Sequence, residues 1–319
     1  MLPVTEVRKD LVLIGGGHTH ALALRMLAMQ PMADVRITLI SPASHTPYSG
    51  MLPGLIAGHY SFEQTHIDLV RLSEWAQIRF ICAEVTGLDP IAKTVSVPGR
   101  PDIGYDVLSL DIGSQPELDS VEGARQFATP VKPVAGLWQR WNRFLADSDE
   151  TPARIAVVGG GAGGVELVLG MACRQRDSSQ RFDLYCGGDD ILPGYNPRAR
   201  LAAYRALEQF NVGIHCGQRV SAVEAGALHF EPSGSASFDQ LFWCTGAAAA
   251  PWVAASGLAV DDRGFLKVND RLQVLDDNRV FAAGDIATQV NHPRPKAGVY
   301  AVRQAPVLAH NLRAALHST

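Results

Sequence analysis

Residues 153–174 read ARIAVVGGGAGGVELVLGMACR. An apolar run at positions 155–158 leads into Gly159-x-Gly161-x-x-Gly164, and good helix formers follow. Strand, glycine turn and helix in that order open a βαβ unit. One glycine permits the tight turn, one lets backbone N–H groups approach a pyrophosphate, and the third lets helix and strand pack closely. The pyrophosphate then sits at the positive end of the helix dipole. The next strand is supplied by FDLYCGGDD, residues 182–190.

The same design occurs earlier in the chain. DLVLI (residues 10–14) enters GGGHTH, then the helix-forming ALALRMLAMQ, then the strand-like VRITLIS ending at Ser41. Its fingerprint is Gly15-x-Gly17-x-x-His20. The two phosphate-facing glycines remain, while His20 breaks the packing criterion at the third position. Two copies of the unit match the roughly two domains expected at 100–200 residues each for a chain of 319 residues. YDVLSLDIGSQP (105–116) and DQLFWCTGAAAAP (239–251) each run an apolar strand into a glycine turn and mark two crossings between domains. The expected architecture is therefore α/β, with two Rossmann-like dinucleotide-binding domains, the second inserted in the first. The expected segments are 1–118, 119–249 and 250–319.

Composition narrows the class. Hydrophobic residues make up 47% and charged residues 19%, enough for packed cores. With 28 Lys+Arg against 32 Asp+Glu, the net charge of −4 gives no reason to expect a nucleic-acid partner. The stretch 244–260 is apolar but carries Gly246, Pro251 and Gly257, so no transmembrane segment is expected. The opening MLPVTEVRKD lacks the apolar core of a signal peptide. Five cysteines (Cys82, Cys173, Cys186, Cys216 and Cys244) form no CxxC or CxxxxC pair, which fits a reducing, cytoplasmic setting. His18, His20, His45, His59 and His66 lack a ligand-like spacing, so no metal site is expected. The segment SPASHTPYSGMLPGLIAGHY (41–60) is rich in Pro and Gly yet apolar, and reads as a ligand-facing loop.

Two carboxylates stand at informative places. In RVFAAGDIA (279–287) a strand ends in Gly284-Asp285, and the helix-like AGVYAVRQAPVLAHNL follows. Asp285 can accept hydrogen bonds from a sugar-alcohol chain such as the ribityl of FAD, or it can cap a helix. Glu166 follows the second fingerprint. It is either a residue on the nicotinamide side or a first-turn acid favoured by the helix dipole.

Taken in order, Gly15/Gly17, YDVLSLDIGSQP, Gly159/Gly161/Gly164, CTG and AAGD resemble the pyridine nucleotide–disulfide oxidoreductase superfamily across essentially the whole chain. The lack of a cysteine pair after the second strand resembles the type II NADH dehydrogenase-like branch. HTPYSGMLPGLIAGHYSFEQTHIDLVRL (45–72) is similar to the flavoprotein module found fused in front of selenide, water dikinase.

The resemblance implies FAD in the outer domain. Its pyrophosphate would lie at Gly15, Gly17, His18 and Thr19, and its ribityl at Gly284 and Asp285. Ser41 would stand at the ribose position, and Val85, in RFICAEV, would face the adenine through its backbone. Gly113 would join the cofactor set, and Pro47 with the PYSGMLPG loop would approach the isoalloxazine. Val299, in the helix start 298–300, would bring N–H groups to the flavin's pyrimidine edge. Lys296 would add positive charge there, or be an ordinary exposed lysine. NADH or NADPH would bind at Gly159, Gly161, Gly164 and Gly246, with Glu166 beside a nicotinamide stacked on the flavin. Hydride would pass from NAD(P)H to the flavin and on to a quinone, a small oxidised chalcogen compound or a protein. The alternative is an FAD-containing redox-sensing or docking module partnered with a selenide, water dikinase domain.

The chain departs from the family pattern in three places. The strand that in relatives ends in an acid ends here in Ser41, which implies weaker FAD retention. The corresponding strand of the second domain ends in Cys186-Gly187-Gly188, offering neither an acid for NADH nor an arginine for NADPH. Type II NADH dehydrogenases continue beyond the last helix into a membrane-surface segment, so quinone reduction at a bilayer is not expected.

Overall fold

The computed structural model describes residues 7–147 and 151–317. Most of the residues behind the signal-peptide expectation, and the final two of the chain, fall outside that range. The chain forms two compact units. The first comprises Met1–Ser49, His66–Ser114 and Ala248–Thr319, and the second Gly50–Thr65 and Gln115–Ala247.

The first unit is built on an eight-stranded sheet. Lys9–Ile14 lies at its centre, flanked by Val35–Ser41 and Val107–Leu110, both parallel to it. Arg79–Cys82 continues the sheet beyond Val35–Ser41, and Asp277–Ala282 beyond Val107–Leu110, again parallel. Parallel strands of this kind are covered on both faces and read as continuous apolar runs. Leu11, Val12, Leu13 and Ile14 are accordingly all buried. Helix His18–Ala28 packs along helix Gly298–His317. Gly87–Asp89, Thr94–Ser96 and Ile103–Gly104 form a small antiparallel sheet in the chain before Val107–Leu110.

The second unit repeats this plan. Its five parallel strands run, in spatial order, Thr129–Pro130, Gln240–Trp243, Arg154–Val158, Arg181–Cys186 and Gly213–Cys216. A three-stranded antiparallel sheet, Arg219–Glu224, Ala227–Glu231 and Ser235–Ser237, again precedes the fourth long strand. One core joins Leu137, Trp141 and Phe144 of helix Val134–Asp147 to Val168 and Met171 of helix Ala162–Arg174. Another joins Tyr185, Trp243, Val223 and Phe230. The fold is α/β with two Rossmann-like units, the second inserted in the first. The chain passes between units after Ser114 and after Ala247, beside the two strand-to-glycine segments.

Residues 50–65 differ from the expected division, which counted them with the first segment. They cluster with the second unit, and the segment 41–60 is not one loop. Helix Leu52–Ile56 buries Leu55 and Ile56. The indole Nε1 of Trp141 donates to the Ile56 carbonyl at 3.1 Å. A Cβ on Gly170 would lie 2.7 Å from the Pro53 carbonyl oxygen, so a bare glycine is what lets the helices approach. His45–Pro47, by contrast, pairs with His66–Asp68 in the first unit.

Candidate dinucleotide sites

In the first unit the chain leaves strand Lys9–Ile14 through Gly15 (φ +91°) and enters its helix at His18 with Gly17 as N-cap. The turn is organised by Asp111, a residue that sequence reasoning passed over. A Cβ on Gly15 would lie 2.4 Å from the Asp111 carbonyl oxygen. One on Gly17 would lie 2.4 Å from its carboxylate, and one on Gly284 (φ +67°) 2.4 Å from Oδ1. Three glycines from two distant segments therefore make room for one buried acid. Gly17 is therefore bare to admit Asp111, beside the phosphate-facing role the sequence suggests for it.

Asp111 accepts from the backbone N–H of His20 at 2.9 Å, so it takes up part of the helix N-terminus and leaves the rest of its N–H groups for another acceptor. Burial raises its pKa to about 7. Nearby Asp285 pushes the same way, while hydrogen bonds from His20 and Thr19 oppose the shift.

His20, the break in the first fingerprint, is fully buried. Its Nδ1 pairs with the Gly15 carbonyl at 2.7 Å and its Nε2 with Ser109 Oγ at 2.8 Å. Burial lowers its pKa to about 4, so the ring is neutral at physiological pH. The imidazole ties turn to sheet where close glycine packing would otherwise do so. Thr19 Oγ1 donates to the Ala301 carbonyl at 2.9 Å. His18 stands edge-on to Tyr48 with ring centroids 4.9 Å apart, and its buried Nε2 has no partner among the described residues.

Asp285 lies in the single turn Gly284–Ile286, well before helix Gly298–His317, which excludes the reading that it caps that helix. Ser114 Oγ donates to its Oδ2 at 3.3 Å. Lys296 is no ordinary exposed lysine. Its Nζ donates to the Ala287 carbonyl at 2.6 Å and lies 4.0 Å from the centre of the Phe265 ring. Burial lowers its pKa to about 8, against the pull of Asp261 and Asp285. Gly284, Asp285, Lys296 and Tyr300 line a shared recess.

Ser41 is buried at the end of its strand, with Oγ 3.2 Å from where a Gly16 Cβ would stand. Val85 is buried but lies past strand Arg79–Cys82, which is shorter than the expected strand. Pro47 is half-buried, and Val299 is exposed at the second position of its helix. Gly113 (φ +72°) has nothing within 4 Å of its missing Cβ, leaving a bare backbone face.

In the second unit Gly159 (φ +135°) turns the chain, and a Cβ on Gly164 would lie 1.9 Å from the Gly159 carbonyl oxygen. Gly161 caps helix Ala162–Arg174 and opens on empty space. Gly246 (φ +66°) lies against Glu117. The helix begins at Ala162, so Glu166 occupies its fifth position rather than its first turn. The dipole explanation fades there, because the effect is confined to the terminal turn. Its side chain is exposed, and partial burial of the carboxyl raises its pKa.

The strand end at Cys186 also differs from the sequence picture. Arg219 stands beside it, with its Cα and Cβ 3.5 Å from where a Gly187 Cβ would be. Asp190 is held by Arg200 at 2.5 Å and by the Tyr204 hydroxyl at 2.6 Å. No linear signal pointed to these residues, because separate elements bring them together.

Two sheets with parallel centres, each with a glycine turn and a helix N-terminus at the carboxyl end of a central strand, define a double dinucleotide-binding architecture. The pyridine nucleotide-disulphide oxidoreductase family matches residues 9–305, and the chain belongs to that family of oxidoreductases. It is 26% identical over 295 residues to the NADH dehydrogenase-like protein YutJ of Bacillus subtilis, covering 89% of this chain and 78% of that protein. It is 25% identical over 297 residues to the demethylphylloquinone reductase NdbB of Synechocystis, covering 88% and 72%. The crystal structure of reduced Bacillus anthracis CoADR-RHD shares the fold, with TM-score 0.84 and 20% identity over 96% of this chain and 57% of that one. No described helix is long and apolar enough to cross a membrane.

Proposed function

We propose that this chain is an FAD-dependent NAD(P)H oxidoreductase, with FAD in the first unit and the pyridine nucleotide in the second. The observation that carries the reading is the pairing of two glycine turns of opposite character in one chain. The first fits FAD through its helix N-terminus, the unpartnered Nε2 of His18, the bare face of Gly113, and Asp285 for polyol hydroxyls. The second fits a pyridine nucleotide through the open Gly161 and the helix behind it. When bound, FAD supplies acceptance of hydride from NAD(P)H and delivery of electrons to a second substrate.

The chain's own residues position and charge the site. Asp111 tolerates a neighbouring diphosphate when it holds a proton. Asp285 orients the polyol, and Lys296 holds positive charge in the recess beside it. Glu166 orients the carboxamide side of the nucleotide.

The names of the relatives support NADH as donor and a quinone-like small molecule as acceptor. Arg219 at the strand end supports NADPH instead. The docking reading, with a selenide, water dikinase domain, has no comparable support. The test is anaerobic mixing of the FAD-loaded protein with NADH and, separately, NADPH, following loss of the yellow flavin band. A short-chain soluble quinone is then added. Fast bleaching by one nucleotide and recovery on quinone addition are expected. No bleaching with either nucleotide overturns the enzyme reading, and bleaching without recovery moves the acceptor away from quinones.

A further inference from the structure

Two strand ends in the second unit bring two thiols together. Cys186 closes Arg181–Cys186, Cys216 closes Gly213–Cys216, and the parallel register pairs them directly. Neighbouring strands lie about 4.8 Å apart, inside the Cα separation a disulfide spans. The two Sγ atoms are 3.1 Å apart and both thiols are free. Among the described residues, no third His, Cys, Asp or Glu joins them to make a metal-holding group.

Cys186 lies directly against the second glycine turn, with Cys216 on its far side. A Cβ on Gly160 would lie 2.6 Å from Cys186 Cβ and 3.2 Å from its Sγ. The thiols are unequal. Cys216 is half-buried and reachable, whereas Cys186 is buried. Burial, with Cys216 and Asp190 adding, pushes the Cys186 thiol up to about 12. A thiol of that kind is a poor first nucleophile but serves as the resolving partner of an oxidised neighbour.

We propose that Cys186 and Cys216 form an oxidisable dithiol that closes to a cross-strand disulfide and thereby lowers the affinity of the second glycine turn for its dinucleotide. The oxidant is a hydroperoxide. The Cys216 sulfur attacks the terminal peroxide oxygen, the O–O bond breaks, an alcohol or water leaves, and Cys216 carries a sulfenic acid. The Cys186 sulfur then attacks the Cys216 sulfur, the S–O bond breaks, and water leaves with the Cys186 proton. Two thiols and one hydroperoxide thus give one disulfide, one alcohol and one water. Closure draws the two strand ends together and moves the Cys186 Cβ on which Gly160 rests.

The affinity clause rests on the pyridine nucleotide reading of this turn, and the dithiol clause stands without it. The test treats the purified full chain with hydrogen peroxide, maps disulfides in a non-reducing digest, and titrates NADH and NADPH before and after. A Cys186–Cys216 linked peptide is expected, lost on adding dithiothreitol, absent from Cys216→Ser and Cys216→Ala, and retained in Cys82→Ser. The dissociation constant of the preferred nucleotide should rise about fivefold or more on oxidation and return on reduction, with no peroxide response in Cys216→Ser. Absence of the linked peptide overturns the dithiol. A linked peptide with unchanged affinity overturns the coupling. Reduced protein that binds neither nucleotide overturns the pyridine nucleotide reading and the coupling together, while the peptide map still decides the dithiol.

Discussion

The two glycine turns solve one geometric problem with different chemistry. In the second unit the helix reaches its turn by bare backbone, since Gly164 leaves no Cβ to meet the Gly159 carbonyl. In the first unit the same motif position is His20, and the imidazole reaches the Gly15 carbonyl through a hydrogen bond. The first turn is furnished with ionisable groups, Asp111 and Asp285, and with a neutral histidine. Against the second turn lies Cys186, paired with the thiol of Cys216. The glycine pattern therefore specifies a path for the backbone, while neighbours from other strands specify the electrostatics. One turn should respond to pH and the other to oxidant.

The largest expected effect belongs to Asp111. Its carboxyl holds a proton more tightly in the folded chain, at about 7, than its ordinary value of 3.8 allows. Its stabilising contribution is complete below 3.8 and is lost as pH rises through about 7. Asp111→Asn keeps the shape without the charge. Relative to wild type it should gain on the order of 4 kcal/mol of stability between about pH 4 and pH 8. Urea unfolding across that range checks this, and parallel curves for the two proteins would remove the buried charge from the account.

Gly164→Ala comes next. Its Cβ has nowhere to go but the Gly159 carbonyl, 1.9 Å away, so the helix must shift. A loss of about 3 kcal/mol is expected. Gly161→Ala, which opens on empty space, should cost less than about 1 kcal/mol yet weaken nucleotide binding. Equal costs at the two positions would show that the second turn does not use its glycines in the way its geometry indicates.

These contrasts mark what the sequence could disclose. The strands, the glycine turns and the helices after them are local patterns, and local patterns survive in one dimension. Asp111 sits inside the quoted stretch YDVLSLDIGSQP, but its meaning depends on Gly15, Gly17 and Gly284 converging on it once the strands pair. Cys186 and Cys216 are thirty residues apart and meet only through register. Arg219 reaches the strand end by the same route. Residues 50–65 look like a loop of the first unit because the glycine and tryptophan that hold them, Gly170 and Trp141, come much later in the chain. His20 looks like a defect because a pattern of residue types cannot show that its two ring nitrogens both find partners.

Asp285→Ala tests whether the first turn holds the flavin polyol. Loss of hydrogen bonds to a charged acceptor, each about 1.5–3 kcal/mol, should weaken FAD retention roughly 10- to 100-fold. Equilibrium dialysis of FAD against wild type and variant measures it. Unchanged retention would take Asp285 out of the site and leave it as the partner of Ser114.

The smallest effect is expected at Lys296, and it separates a structural cation from a cofactor-facing one. Lys296→Met preserves the stem over Phe265 but removes the ammonium contacts to the ring and to the Ala287 carbonyl. The lost contacts are offset by relief from burying the charge, so the net change at neutral pH should stay within about 1 kcal/mol. Burial depresses the folded pKa to about 8 from 10.5, so the folded chain releases this proton earlier than the unfolded chain. Wild-type stability relative to the variant should therefore rise as pH climbs from about 8 towards 10.5, and that part is lost as pH falls through about 8. Thermal unfolding over this window reads the slope, and FAD dialysis on the same samples reads the second role. A flat difference with unaltered FAD retention would make Lys296 a plain packing residue. A matching slope with weakened retention would place its charge on the flavin side of the recess, where the furnished first turn differs most from the second.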